Sequence, residues 1–489
     1  MLRLLPTPKK CDVNKEKISA VKPAVFSFDE EWENCVEIIK EYIFLATDEV
    51  VTAQKGGIEL YRDASLKKGE YRLEHTDTLR AYASDYEGMC YAAASVVNLL
   101  TSKKDGFNLP EFEIFDYADK EYRAFMIDLG REWHPLRQLL RYVDLCFLYK
   151  IRYLQLHFMD NKLYSLPSKA FPKLSTKGKH YSFEDIKLLC EYAKKRGIIL
   201  VPEIECPGHA TQYTTAYANV FANEYDEGIS GKVTIEGGIN VDASSLMCAG
   251  SEECSNAVYA LIKEIADMFP DSPYIHIGGD EAAIALWNSC KNCRKYMKDK
   301  GIKDEHELYC EYVGRVADYV LSIGKTPIVW EGFSKEYSHY IPRDTIVVAW
   351  ESLYNYSYDL LADGFKIINA SWKPLYIVPL SYNALDIARE KTQYGTKEIF
   401  DWNIYSWGNW SPCSEATLNP ITIAPTDELI GAMMCSWEQT YEQEINKVME
   451  NLLTMSERVW NVKRVESYTD YIKKQGVLIS QVSRIIQER

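Results

Sequence analysis

The chain has 489 residues, 47% hydrophobic and 26% charged, with a formal net charge of -15. That length exceeds what one core usually supports, so a large domain with a smaller companion is expected, and the composition excludes a disordered or fibrous chain. The negative charge is spread along the sequence, which argues against nucleic acid or an anionic membrane as partner.

In chain order, Met1–Lys10 carries too short an apolar core for a signal peptide, and no later apolar run reaches the length of a membrane span. A cytoplasmic protein is the expectation. Residues 1–117 alternate strand-like runs (Gly57–Tyr61, Glu70–His75, Leu79–Ala83) with a helix at about Gly88–Leu100, and predict a small α+β domain. Residues 118–489 then alternate apolar, β-branched runs with amphipathic helical stretches. Strands are predicted at Ala124–Asp128, Tyr153–Phe158, Ile198–Ile204, Tyr274–Ile277, Pro327–Trp330, Ile346–Trp350, Lys366–Ala370 and Gly431–Trp437. Helical stripes follow, such as Leu139, Leu140, Val143 and Phe147, then Ile186, Leu189, Cys190 and Ala193 before a capping Gly197. Eight such units predict an α/β fold, a (β/α)8 TIM barrel preceded by the small domain, with Glu466–Arg489 as a closing helix. A long excursion from about Thr211 to Ser251 is placed over the barrel mouth.

Thirteen cysteines is an odd count, and Cys146, Cys190 and Cys435 sit in apolar segments, as buried free thiols in a reducing compartment would. Cys290-Lys-Asn-Cys293 has the spacing of half a zinc site, yet no second CxxC or His pair completes it. Packed thiols at a helix start are the expectation, and no metal is assigned. The 35 tyrosines and 11 tryptophans fit stacking on the C–H faces of sugars, or packing in the core.

Tyr274-Ile-His-Ile-Gly-Gly-Asp280-Glu281 runs an apolar strand into two glycines and two adjacent carboxylates. Neighbouring strand side chains point to opposite faces, so both acids share one pocket only if the chain bends, and Gly278-Gly279 permits the bend. Two carboxylates forced together retain one proton towards neutral pH, which suits glycosidic bond cleavage; a solvated turn is the alternative. The other predicted strand ends carry Arg131, His157 and Asp160, Glu205 and His209, Trp330, Trp350 and Trp437. In a barrel, groups at the C-terminal strand ends converge on one mouth.

Taken together, these motifs resemble the family 20 glycoside hydrolases, the β-N-acetylhexosaminidases. His276-Ile-Gly-Gly-Asp280-Glu281 is similar to that family's signature, Val201-Pro-Glu-Ile-Glu-Cys-Pro-Gly-His209 to its third-strand motif and Asp128-Leu-Gly-Arg131 to its first. Glu70-Tyr-Arg-Leu73 and Asp85-Tyr-Glu-Gly88 resemble its small preceding domain, and Glu457-Arg-Val-Trp460 the end of its last barrel helix. The resemblance implies retaining hydrolysis in which the substrate's own 2-acetamido oxygen attacks the anomeric carbon to give an oxazolinium. It implies Glu281 as acid and then base, and Asp280 and Tyr376 as holders of the acetamido group. Arg131 would grip sugar hydroxyls, or else pair with Asp128; Trp330, Trp350 and Trp437 would form the walls, and Asp160 and His209 would lie behind the acid. No metal or organic cofactor is implied, and the partner is a small oligosaccharide or glycoconjugate.

The chain departs from the family pattern where Tyr376-Ile-Val378 replaces Tyr-x-Asp, where Trp437-Glu438-Gln439 replaces Trp-x-Glu, and where Glu205 stands for an Asp. The acids missing at the first two of these positions read outer hydroxyls, so altered recognition at C4 and C6 is expected, with Glu438 as a substitute. An exo-enzyme removing terminal β-linked GlcNAc or GalNAc is the main expectation. The alternatives are a same-family enzyme for a disaccharide or 6-substituted unit, a catalytically dead sugar-binding protein, and a carboxylate–His metalloenzyme on the same barrel.

Overall fold

Eight short parallel strands close into a barrel: Tyr122–Asp128, Tyr153–His157, Ile199–Glu203, Tyr274–His276, Thr326–Trp330, Ile346–Ala349, Lys366–Asn369 and Leu429–Ser436. The computed structural model describes residues 2–100, 107–234, 240–379, 394–409 and 414–489. Registers such as Asp128 opposite His157, and His157 opposite Glu203, bring the strand ends level, so the residues that follow them open onto one mouth. Closure occurs where the eighth strand pairs with both the seventh and the first. There a Cβ on Gly431 would lie 1.8 Å from the Tyr122 carbonyl oxygen, and only glycine allows that approach.

The barrel interior is packed, not hollow. Tyr122, Met126, Tyr153, Val201, Ile328, Val348, Ile368 and Met433 fill it, because every second residue of each strand points inward. The alternate residues, such as Phe125, Ile127, Leu154 and Leu200, join the larger core between strands and surrounding helices. The expected helices Leu136–Leu148 and Phe183–Lys195 are present, the second opened by a Ser182–Asp185 capping box. Strands five to seven depart from a regular repeat, with short 3-10 or six-residue helices at Lys335–Tyr340, Ser357–Ala362 and Thr396–Asp401. The excursion after strand three carries short helices at Thr211–Ala216 and Ala218–Phe221; its residues 235–239 lie outside the described residues. Among the described residues, no helix is long and apolar enough to cross a membrane.

The N-terminal domain is a six-stranded sheet in the order Lys10–Ala20, Asn108–Asp116, Tyr71–His75, Leu79–Ala83, Ile58–Arg62, Val25–Ser27. Its first strand is almost wholly exposed, an edge ribbon with polar residues on both faces, and so gave no alternation to read. The helix Tyr86–Leu100 is buried on nearly every side between this sheet and the barrel helix Leu136–Leu148. Gly88 makes the tight fit possible, since a Cβ there would lie 2.5 Å from the Glu70 carbonyl oxygen. The C-terminal helix Tyr468–Glu488 packs against both Glu33–Thr47 of the small domain and the barrel helix Leu136–Leu148.

A buried polar cluster fixes one domain on the other. Asp116 accepts from Tyr71 Oη (2.6 Å), Lys150 Nζ (3.3 Å), Trp460 Nε1 (2.9 Å) and the Lys9 backbone N–H (3.1 Å). Lys150 and Asp116 are both fully buried, and burial pushes the Lys150 ammonium below its usual range. Removing one partner of such a pair leaves the other charge buried, at a cost of about 3–5 kcal/mol, whereas removing both is far milder. Asp116→Ala is therefore expected to lower the thermal midpoint sharply, and Asp116→Leu combined with Lys150→Met to recover most of it. A double variant as unstable as the single one would show that charge burial is not the cost.

Candidate active site

The fourth strand ends at His276, and the chain then turns through three left-handed residues, Gly278 (φ 72°), Gly279 (φ 91°) and Glu281 (φ 44°). A Cβ on Gly278 would lie 1.9 Å from Glu205 Oε2, so the turn depends on glycine for space as well as for φ. Tyr309 Oη holds the turn by donating to the Gly279 carbonyl. The result is that Asp280 and Glu281 face the same mouth. Asp280 is 9% exposed, whereas the Glu281 side chain is half exposed. A non-glycine residue at positive φ stores strain, and Glu281 shares that feature with His209 (φ 48°) and Glu438 (φ 53°) around the same mouth.

Behind the pair lies a chain of ionic contacts. His209 Nε2 is 3.4 Å from Glu281 Oε2 and 3.9 Å from Asp280 Oδ2, and its Nδ1 is 3.3 Å from Asp160 Oδ2. Asp160 also receives Arg131 Nη2 at 2.8 Å and His157 Nε2 at 3.2 Å. Arg131 binds Asp128 as well, at 3.1 Å, and its guanidinium lies over Trp437. The ion pair with Asp128 that the sequence left open is thus present, alongside a second one to Asp160. A deeper layer joins His157 Nδ1 to Glu203 Oε1 (3.1 Å), which also accepts from Trp330 Nε1 (2.6 Å), while Glu203 Oε2 accepts from Gln155 Nε2 (2.7 Å).

These contacts divide the protons. Burial pushes the Asp280 carboxyl up to about 6, with Glu281 adding to the rise and His209 opposing it. The His209 hydrogen bond holds Glu281 below the usual carboxylate range. Burial works against charge on Asp160, yet His209, His157 and Arg131 outweigh it and hold that carboxyl well down. Burial likewise opposes charge on His157, but Glu203 and Asp160 raise it to about 10. Glu205, buried beside Asp280 and Glu203 with neither oxygen hydrogen-bonded by a described residue, is pushed well up and stays protonated. His276 is lowered to about 4 by burial and accepts the Gly278 N–H.

An aromatic box faces the pair. Trp330 lies 6.3 Å from Trp350 and 5.9 Å from Trp437, and Tyr376 stacks parallel to Trp350 at 6.0 Å and lies 6.0 Å from Trp437. Tyr376–Ile377 is added as a short parallel strand beside Cys435 and Ser436, which delivers its ring to the mouth. Arg131, Asp160, His209, Asp280, Glu281, Trp330, Trp350, Tyr376 and Trp437 are therefore brought together. Glu438 sits at the rim, 3.4 Å from Lys162, and Gln439 folds back onto the Trp437 carbonyl.

Sequence reasoning passed over three groups here. Trp372 completes the box, 5.6 Å from Trp350 and 5.3 Å from Tyr376. Glu351 follows Trp350 at the sixth strand end, 9% exposed, and burial together with Glu331, Glu281 and Asp280 pushes its carboxyl up to about 8. The signal for it was present, an acid directly after a strand-end tryptophan. Glu331 accepts backbone N–H groups from residues 351 to 355, at 2.8–3.2 Å, and so shapes the loop that presents Glu351. Two His-carboxylate groups, His157 with Glu203 and Glu205 and His209 with Asp280 and Glu281, are close enough to chelate an ion, and in each the ring also contacts Asp160.

Known proteins share this fold. Residues 121–463 match glycosyl hydrolase family 20, catalytic domain, and residues 1–117 match glycosyl hydrolase family 20, domain 2. Beta-hexosaminidase of Porphyromonas gingivalis is 29% identical over 265 residues, covering 50% of this chain and 33% of that protein. Beta-hexosaminidase subunit beta of Mus musculus is 26% identical over 391 residues, covering 76% of this chain and 64% of that protein. The chain thus spans less than two thirds of these curated relatives. Among solved structures, a GH20 exo beta-N-acetylglucosaminidase from Vibrio harveyi superposes with a TM-score of 0.84 at 18% identity, covering 99% of this chain and 77% of that one. A beta-N-acetylhexosaminidase from Bacteroides fragilis gives 0.78 at 22% identity, covering 96% and 93%. The chain belongs to glycosyl hydrolase family 20.

The ion network predicts a pH window for stability. His157 has its folded pKa raised to about 10 from 6.5, so its contribution is complete below the unfolded value and is lost as pH rises through about 10. Asp160 has its folded value depressed, so its contribution is present above about 4 and lost on acidification. His157→Gln should therefore cost most between about pH 5 and 6.5, on the order of 4 kcal/mol, and progressively less towards pH 10. Urea denaturation at a series of pH values reads this difference; a cost that grows with pH would contradict a charged His157.

Proposed function

We propose that the chain is a retaining exo-β-N-acetylhexosaminidase that releases terminal β-linked GlcNAc or GalNAc by substrate-assisted catalysis. The observation that carries this reading is Asp280 Oδ1, a buried carboxylate oxygen without a hydrogen-bond partner among the described residues, beside the aromatic box. A buried acceptor left unpaired is costly, and a ligand N–H relieves it. An acetamido group offers that N–H with a methyl beside it for tryptophan walls. The names of the relatives, beta-hexosaminidases, support the same substrate class.

In this mechanism the acetamido N–H donates to Asp280 and Tyr376 Oη donates to the acetamido oxygen, turning it towards C1. That oxygen forms a bond to C1 as the bond from C1 to the leaving oxygen breaks, and Glu281 gives its proton to the leaving oxygen. Water then adds to C1, Glu281 takes the proton back, the oxazolinium ring opens, and the anomeric configuration is retained. A nucleophile already attached to the substrate has a high effective concentration, so the enzyme need only hold it in line. The proton distribution of the free site fits a binding-driven transfer. With no donor at its oxygen, Asp280 is the group raised to about 6; an N–H donor there favours its ionised form and leaves the shared proton to Glu281. Arg131 binds the sugar hydroxyls, and Glu351, protonated at neutral pH, donates to another. The thiols of the described cysteines, all free, support a reducing compartment as the place of action, and a cytoplasmic location is proposed on that ground.

Two measurements test the scheme. Glu281→Gln should lower kcat on an unactivated disaccharide by roughly 10²–10⁴, with the loss blunted for an activated aryl leaving group. Because the proton that Asp280 holds in the free site becomes the one Glu281 delivers, kcat/KM should fall as pH rises through about 6, and Asp280→Asn should displace that limb and remove most of kcat. A β-glucoside cleaved as fast as the β-GlcNAc substrate would overturn the acetamido role.

A second reading concerns the outer hydroxyls. Glu438 is drawn to Lys162, Gln439 is turned onto the backbone, and the apolar Val378 directly follows the short strand Tyr376–Ile377, so a sugar altered at C6 meets no demanding acceptor there. Val378→Asp should raise the preference for 6-hydroxy over 6-deoxy substrate by around tenfold, the worth of one hydrogen bond. An unchanged ratio would place residue 378 away from the sugar.

A further inference from the structure

The excursion that follows the third strand ends in Cys248, and the helix Lys291–Lys300 begins at the turn Cys290-Lys-Asn-Cys293. The fold brings the three together: Cys248 Sγ lies 3.8 Å from Cys290 Sγ and 3.8 Å from Cys293 Sγ, and all three sulfurs lie within 4.8 Å of one another. All three residues are fully buried. Four ligands around zinc with Zn–S bonds of about 2.3 Å stand about 3.8 Å apart at tetrahedral angles, the spacing found here. A disulfide requires sulfurs at about 2.05 Å, and an odd set of three always leaves one thiol over.

The surroundings are shaped for this cluster. A Cβ on Gly250 would lie 2.6 Å from Cys293 Cα and 2.5 Å from the Asn292 carbonyl oxygen, so glycine is needed for the Cys248 loop to close on the CxxC turn. Arg294, held by Asp226 at 2.7 and 3.0 Å, places a cation in the field of Cys290 and Cys293. Asn223 supplies an oxygen 3.6 Å from Cys293 Sγ.

We propose that Cys248, Cys290 and Cys293 form a structural site for one thiophilic divalent cation, zinc by its geometry, with the fourth position taken by Asn223 or water. On binding, the three thiols release their protons to solvent; the cation and three thiolates together carry one negative charge, which Arg294 offsets. No electron is transferred. The cation fastens two segments that border the carboxylate pair. The residue before Cys248, Met247, donates its N–H to the Pro207 carbonyl (2.9 Å), two residues from His209, and accepts at its own carbonyl from Trp287 Nε1 (2.9 Å). The role is positioning, distinct from the acid–base chemistry.

Metal analysis of protein purified without chelator should find about one zinc per chain, falling at least fivefold in Cys248→Ser and staying unchanged in Glu281→Gln. Cobalt added to chelator-stripped native protein should give the intense thiolate-to-metal absorption and d–d bands of a tetrahedral, sulfur-rich site, a readout that does not depend on any variant folding. Zinc retained in Cys248→Ser, a disulfide between two of the three residues in the purified protein, or three alkylatable thiols without cobalt–thiolate absorption would each overturn the proposal.

Discussion

The mouth of the barrel depends on one buried anion, the Asp160 carboxylate. Arg131 from the end of the first strand, His157 from the second and His209 from the third all converge on it within 3.3 Å. A carboxylate 1% exposed is tolerable only with several cationic partners, and each partner is itself held in place by this anion. Through His209 the same charge reaches Glu281 on the fourth strand. Four adjacent strand ends are thus set by a single electrostatic constraint, and the strained backbone at His209 and Glu281 persists because that constraint offsets it.

The carboxylate pair illustrates how a short motif needs its tertiary frame. Gly278 and Gly279 make the bend possible, but Glu205, Tyr309 and Gly332 decide where it goes. A Cβ on Gly332 would lie 2.5 Å from the Gly279 carbonyl oxygen, so the fifth-strand loop packs directly on the turn. The frame also sets the proton count. Asp280 is deep and beside a protonated Glu205, whereas Glu281 is half exposed and bonded to a cationic His209. Two neighbouring acids therefore differ in their readiness to ionise through environment alone.

The small domain is attached by buried polar contacts that complete it. Asp116 joins its last strand to Lys150 and Trp460 of the barrel. On the other side, buried Asp144 accepts from Tyr42 of the small domain and from Arg196, Tyr192 and the C-terminal Arg489. Such contacts specify one relative placement, since any shift leaves a buried charge unpaired. The closing helix is therefore part of the interface between domains as much as part of the barrel.

The strands, the stripe of Leu136–Leu148 and the glycine bend were legible because they depend on local period and local backbone freedom, which sequence encodes directly. The residues at the strand ends were legible for the same reason, once eight parallel strands were counted. The exposed strand Lys10–Ala20 was not, since an edge ribbon with polar side chains on both faces has no period to detect. Glu203 and His157 carried no sign of their ionic partners. Cys248 lies 42 residues from Cys290, and nothing in either segment announces the other. Pairings between distant loops arise from chain closure over a shared scaffold, and their energies depend on burial and distance. By itself the sequence determined which segments become strands and which side chains stand at their ends; only the tertiary structure decided which of those side chains meet, and therefore which carry charge.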